Sequence, residues 1–386
     1  MINRDIASEM KILLREYPVL TLLGPRQAGK TTLARSVCNE AAYTNLEIPE
    51  IREFADSDPK AFLAQFSGQV IIDEIQRVPS LLSYIQGIVD AEKTNGRFIL
   101  TGSHQLELRG AVSQSLAGRT ALLHLLPFSI GELAGGGVVY DRFEEYAFRG
   151  FLPRIYDQSL RPTVAWSNYY QTYVERDVRQ LIGLKNVSLF EKFIKLLAGR
   201  AGQLLDYSSL ANDVGVDAKT IRNWLSILEA SFLIFKLPPY FENFGKRVVK
   251  SPKYYFTDVG LLCFLLGIRE PEQVGRDPLV GSIFENLVVL EFVKSRWNRG
   301  RTADFHFFRD SNENEVDLLM LEGREILAVE IKSCATFHKG LLKGISRIKK
   351  LVDPNFLKTF LVYNGVPFKC SDGTAALYFR EATRYA

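Results

Sequence analysis

The chain has 386 residues, 47% apolar and 24% charged, with a formal net charge of +4. This is the composition of a globular protein of two or three domains. It excludes a membrane-spanning class, because runs such as Leu261–Leu266 are far too short to cross a bilayer. The start, Met1-Ile2-Asn3-Arg4-Asp5, is polar and unlike a signal peptide. Cys38, Cys263, Cys334 and Cys370 are scattered without metal-ligand spacing, as expected of a reducing cytoplasm and no structural zinc. The basic excess is local. Residues 241–386 carry 22 Lys+Arg against 18 Asp+Glu, including the stretch Lys294–Arg301. That stretch is compatible with phosphate contacts, and a solvated face is its ordinary reading.

Val19–Leu23 reads as a buried strand, and Thr31–Arg35 opens a helix. Between them, Gly24-Pro25-Arg26-Gln27-Ala28-Gly29-Lys30-Thr31 fits the G-x-x-x-x-G-K-[ST] loop that cradles nucleotide phosphates. Glycines let the backbone approach, and amides at the helix start bind anions. Lys30 is the candidate for the β- and γ-phosphates, and the Thr31 hydroxyl, followed by Thr32, for Mg²⁺. Val70–Glu74 is an apolar strand ending in two carboxylates. Asp73 is placed to serve the Mg²⁺ shell and Glu74 to orient the attacking water. A third strand, Arg97–Leu100, ends in Thr101-Gly102-Ser103. Ser103 is a candidate for sensing the γ-phosphate or positioning water, or else for a helix N-cap.

Residues 1–160 alternate strands and amphipathic helices, the pattern of a parallel sheet covered on both faces. A helical stretch follows, within a middle region set at 161–245. Here Tyr207–Glu229 reads as a helix-turn-helix, with Gly215 at the turn and Asp217 capping the second helix. Ile221 and Trp224 point to the core, and Leu233–Leu237 resembles the first strand of a wing. Lys219, Arg222 and Asn223 are available to DNA, with Asp213 and Asp217 nearby as opposing charges. A contact or structural role for this module stays open.

From 246 to 386 helix and strand mix. Asn314–Lys332 reads as a β-hairpin about Gly323-Arg324. In that register Asp317 faces Glu330 and Glu315 faces Lys332, with Val316, Leu318, Val329 and Ile331 on the other face. Paired carboxylates invite a divalent cation, and Lys332 could stabilise a phosphate, the layout of a metal-dependent phosphodiesterase. A helix beginning near Gly281 could bring Glu285 as a further ligand. The alternative is an exposed hairpin with ordinary pairing.

These segments resemble the prokaryotic AAA-type ATPases (AAA_14) that carry a C-terminal DUF4143. The likeness rests on the phosphate loop, Ile71–Gln76, Leu100–Ser103, Ser115–Arg119, Leu126–Phe128, Phe148–Pro153, Tyr173–Asp177, Lys253–Gly260 and Glu315–Lys332. The last block also looks like the PD-(D/E)xK nuclease fold. Asp317, Glu330 and Lys332 match its core and Glu285 its helical acid, with Val316 where that family has proline. The resemblance implies an α/β chain: a P-loop sheet domain, a helical and winged-helix middle, and a restriction-endonuclease-like end. It also implies a ring in which an arginine completes a neighbour's site. Arg119 is the candidate for that finger or for an in-chain sensor, with Arg149, Arg154 and Arg176 as competitors.

The leading expectation is a cytoplasmic, homo-oligomeric, Mg²⁺-dependent ATPase acting on DNA by remodelling or by cleavage with Mg²⁺ or Mn²⁺ at the C-terminal site. The alternative is an ATP-controlled assembly switch whose nuclease-like domain only binds nucleic acid or protein. A small-molecule kinase fits less well, given Glu74 beside Asp73 and the additional domains.

Overall fold

The computed structural model describes residues 2–103, 115–179, 183, 187–240 and 251–385, and the side chain of Arg176 lies outside that description. Five strands, β1 (Val19–Leu23), β2 (Ala42–Asn45), β3 (Val70–Asp73), β4 (Phe98–Gly102) and β5 (Thr120–His124), form a parallel sheet. Their order is β2-β3-β4-β1-β5. β1, β3 and β4 are buried at every position, as strands covered on both faces must be. Leu23, Ile72 and Leu100 join one apolar cluster, while Leu22, Ile71 and Ile99 join another on the opposite face. β4 lies between β1 and β3. The loop leaving β1, the carboxylates ending β3 and the polar end of β4 therefore meet at one edge of the sheet.

The middle region contains the helices Tyr207–Val214 and Ala218–Ala230. The first ends on Gly215, whose φ of 96° suits glycine; the second starts where Asp217 accepts from the Thr220 amide at 2.8 Å. Ile221 and Trp224 are buried as expected. The chain continues into β6 (Ile234–Leu237), paired antiparallel with β7 (Lys253–Phe256). Asp213 is paired with Arg200 and Asp217 is spent as a cap, so neither carboxylate is a bare charge beside Lys219 and Arg222.

The second large sheet holds β8 (Phe305–Arg309), β9 (Glu315–Glu322), β10 (Glu325–Lys332), β11 (Leu357–Tyr363), β12 (Phe368–Lys369) and β13 (Ala375–Tyr378). Its order is β12-β13-β11-β10-β9-β8. The hairpin register agrees with the reading from the turn, pairing Glu322 with Glu325 and continuing to Leu318 with Val329. Beyond Leu318 the ladder ends. The Ile331 amide donates instead to the Asp317 carboxylate at 2.7 Å. The side-chain alternation of β9 shifts there. Val316 packs with Leu319 and Ala328, not with Leu318, Val329 and Ile331 as expected.

One apolar cluster takes in residues from Leu126 to Ala382, with the helix Val280–Trp297 running through it. This corrects the reading of Lys294–Arg301 as a solvated face at Lys294 and Arg296, while Arg299 and Arg301 are exposed as that reading expects. Lys294 Nζ donates to the Phe128 carbonyl at 2.8 Å and to Glu291 at 2.9 Å, and Arg296 pairs with Glu322. Among the described residues no helix is long and apolar enough to cross a membrane.

Gly260 marks a close approach in this core. A Cβ there would stand 2.5 Å from the fully buried Trp166 ring. Gly260→Ala is expected to cost about 1–3 kcal/mol, read as a lower denaturation midpoint. An unchanged midpoint would show that Trp166 can move aside.

Candidate functional site

A cleft of about 470 Å³ opens at the carboxyl ends of β1 and β3. Arg26, Gln27, Gly29, Lys30, Thr31 and Thr32 line one side, and Asp73 and Glu74 the floor. The loop is shaped by Gln27 and Gly29, both in the left-handed region at φ 63° and 90°. Gly24 is required for a reason the motif does not show. A Cβ at Gly24 would stand 2.0 Å from the Leu125 carbonyl passing behind it. Pro25 and Gly24 turn their carbonyls to Lys30, whose Nζ donates to each at 2.9 Å. Burial lowers the pKa of this ammonium, and the charges of Glu74 and Asp73 oppose that shift.

The Thr31 hydroxyl donates to both Asp73 oxygens, at 3.0 and 2.9 Å. Tyr43 donates to Asp73 at 3.0 Å, and Thr101 donates to it as well. Burial and the Asp73 charge push the Tyr43 phenol up to about 12, so it is a donor at neutral pH. Thr31 and Asp73 are two hard oxygen donors side by side beneath an anion-binding loop. This set fits Mg²⁺, which binds through one or two protein oxygens and shares the rest with phosphates and water.

Glu74 sits at φ 58°, a costly conformation for a non-glycine residue and one that concentrates at functional sites. Its Oε2 accepts from Ser103 Oγ at 3.1 Å and from the Gln76 amide, which also donates to Ser103 at 3.1 Å. The two candidates Glu74 and Ser103 are thus joined. Gln76, Thr101 and Tyr43 were missed by sequence reasoning. Gln76 and Thr101 lie in strand-end segments that could have signalled them, while Tyr43, on β2, carries no local signal.

Arg119 lies elsewhere. Its carbonyl accepts from Val19 at the start of β1, a strand's length from the loop. Its guanidinium makes a two-point pair with Asp90, at 2.6 and 2.9 Å. Within this chain it does not line the cleft. Arg26 and Arg154 do, while Arg149 pairs with Glu145 at 3.1 Å.

In the C-terminal sheet, Lys332 Nζ bridges Asp317 at 2.9 Å and Glu330 at 3.0 Å. The three residues come together as the register predicts. Glu315 differs. It pairs with Lys253 at 2.6 Å and Arg309 at 2.8 Å, because the ladder stops before it would meet Lys332. Glu285 joins through the same lysine, at 2.9 Å, and accepts from Tyr255 at 2.5 Å. Lysine ammonium groups thus stand between the carboxylates where a divalent ion was expected. Among the described residues no group of three or more His, Cys, Asp or Glu is set to hold a metal. Lys253, distant in sequence on β7, was also missed.

Burial, with the Asp317 charge next, pushes Glu330 from 4.5 to about 8 against the opposing pull of Lys332. The folded state therefore keeps a proton that the unfolded chain releases near 4.5. That contribution to stability is present at acid pH and is lost as pH rises toward about 8. Glu330→Gln should flatten this part of the melting temperature against pH. An unaltered slope would mean that Glu330 is ionised throughout the neutral range.

Residues 16–134 match the family described as "AAA domain", 140–272 a domain of unknown function (DUF8612), and 280–377 another (DUF4143). Uncharacterized proteins of Mycobacterium tuberculosis and Mycobacterium bovis are each 33% identical over 382 residues, covering 97% of this chain and 83% of theirs. One from Haemophilus influenzae is 27% identical, covering 86% of each chain. Among solved structures, the Walker-type ATPase PABY2304 of Pyrococcus abyssi is similar at 16% identity and a TM-score of 0.41, covering 69% of this chain and 96% of that one. With a phosphate loop on a parallel sheet and relatives matching along nearly its full length, the chain belongs to the family of AAA-domain ATPases with a C-terminal DUF4143.

Proposed function

We propose that this protein is a Mg²⁺-dependent ATPase of the cytoplasm that works on DNA as a homo-oligomer. The observation that carries the ATPase reading is the Thr31–Asp73 pair beside the buried Lys30, with Glu74 at the same edge. Lys30 and the amides of Gly29 to Thr32, at the helix start, hold the phosphates in this reading. Bound Mg²⁺ supplies charge neutralisation for the leaving phosphate. Thr31 and Asp73 hold that ion. Glu74 accepts the proton of the attacking water, and Ser103 and Gln76 fix the carboxylate until it does. Arg119, half-buried at the far end of the sheet and held by Asp90, is kept as the candidate finger for a neighbouring subunit.

Lys30→Ala should abolish nucleotide binding, because it removes the charge on the β- and γ-phosphates. Glu74→Gln should bind ATP as wild type and hydrolyse it at least about a hundredfold more slowly. Equilibrium binding and phosphate release separate the two. A Glu74→Gln affinity as poor as that of Lys30→Ala would remove the assigned role.

The DNA reading rests on Lys219, Arg222 and Asn223, all exposed on the second helix of the pair, with both nearby aspartates engaged elsewhere. For the C-terminal site a second reading has specific support. The lysine bridges favour a nuclease-like domain that binds without cutting, under control of ATP. Labelled DNA with Mg²⁺ or Mn²⁺ decides. Slow cleavage that disappears in Asp317→Ala and Lys332→Ala, while ATP hydrolysis persists, would establish the nuclease. An absence of cutting together with DNA affinity lost in Lys332→Glu would establish the binding role of that domain, while Arg222→Glu tests the helix pair. Affinity unchanged in that variant would remove DNA from the helix pair.

A further inference from the structure

We infer that Arg4 is a positioning residue of the nucleotide site, setting the phosphate loop through the Ala28 carbonyl. The inference rests on the nucleotide reading above. Arg4 precedes the first helix, Ala7–Glu16, and its side chain is 9% exposed. Its guanidinium makes three hydrogen bonds. Nη1 donates to the Ala28 carbonyl at 2.8 Å, Nη2 to the Leu126 carbonyl at 2.5 Å, and Nε to Glu132 at 2.9 Å. Its plane also lies 4.9 Å from the Phe128 ring centre. Arg4 is not among the residues lining the cleft that holds Lys30, Thr31 and Asp73; it lines an adjoining cavity with Gly29 and Thr32, and its head is bonded to the Ala28 carbonyl.

The peptide plane turns this contact into a consequence for the site. In a trans peptide the carbonyl of one residue and the N–H of the next point in opposite directions. Arg4 holds the Ala28 carbonyl toward its guanidinium, so the Gly29 N–H is turned away from Arg4, toward the cleft that Gly29 lines. That N–H belongs to the helix start where anions bind. Gly29, with φ at 90°, has a permissive backbone and would otherwise be free to turn.

The support for Arg4 is itself rigid. Glu132 has a fully buried side chain, and it accepts from the Asp5 amide at 2.9 Å and the Ser129 amide at 2.8 Å as well as from Arg4. A planar guanidinium presents its donors in one rigid fork, whereas a lysine ammonium is a single rotatable point. The loop is therefore tied at one point to the chain leaving β5 and to the helix Ile130–Gly135.

The test titrates the full chain with ADP in Mg²⁺ and, separately, with inorganic pyrophosphate. Wild type, Arg4→Lys and Arg4→Gln are compared at a temperature where circular dichroism shows each folded. Both ligands use the loop amides, so both should weaken together. Arg4→Gln should lose about tenfold or more, and Arg4→Lys several-fold, since one ammonium restores part of the bonding. A lowered melting temperature with wild-type affinity in either variant would make Arg4 a structural strut and overturn the proposal. If Arg4→Gln does not fold, Arg4→Lys carries the same decision. Failure of wild type to bind either ligand would overturn the nucleotide reading instead, which is a distinguishable result.

Discussion

A buried ammonium needs hydrogen-bond acceptors, and a charged partner holds it best. Lys30, Lys253 and Lys294 are buried and Lys332 is partly so, and the architecture is arranged around these four. Lys30 turns to two loop carbonyls, and Lys294 to the Phe128 carbonyl and Glu291. Lys253 joins Glu285 to Glu315, and Lys332 joins Asp317 to Glu330. Three of the four spend their charge on fixed carboxylate partners. Lys30 is different, since its bonded partners are neutral carbonyls and the nearby acids act on it only at longer range. An added anion has most to gain at that one position.

The helix Val280–Trp297 gives the two sites a common frame. Glu285 lies near its start in the C-terminal cluster, and two turns on Glu291 accepts from the Ile130 amide at 2.8 Å. Lys294 stands 3.7 Å above the Phe151 ring, in the segment that continues to Pro153 and Arg154 at the cleft wall. Asp258 accepts from the Phe151 amide at 2.9 Å, and burial pushes its carboxyl up to about 6. The wall of the nucleotide cleft is thus built on the same packed core as the acidic cluster.

Much of this was legible in the sequence for simple reasons. Strands buried on both faces are apolar throughout, so β1, β3 and β4 declare themselves, and the charges that end them mark the cleft. A two-residue turn fixes a hairpin register, so Asp317, Glu330 and Lys332 could be brought together from Gly323 alone. The local rule fails where a side chain takes over a backbone bond. Asp317 does so at Ile331, and the fate of Val316 and Glu315 changes with it. Partners from distant segments carry no local pattern. Lys253 reaches Glu315, and Arg4 reaches Ala28 and Leu126, through tertiary packing alone. Lys294 and Arg296, in the basic stretch, looked like surface because composition does not say which charges find acceptors inside.

In the proposed function the cleft at Lys30 takes a Mg²⁺-bound nucleoside triphosphate. Calorimetric titration of the intact chain with ATP, in Mg²⁺ and in its absence, tests it most directly. One nucleotide per chain is expected, bound more tightly with Mg²⁺ because Thr31 and Asp73 then share the ion with the phosphates. No saturable binding, or an affinity indifferent to Mg²⁺, would contradict it.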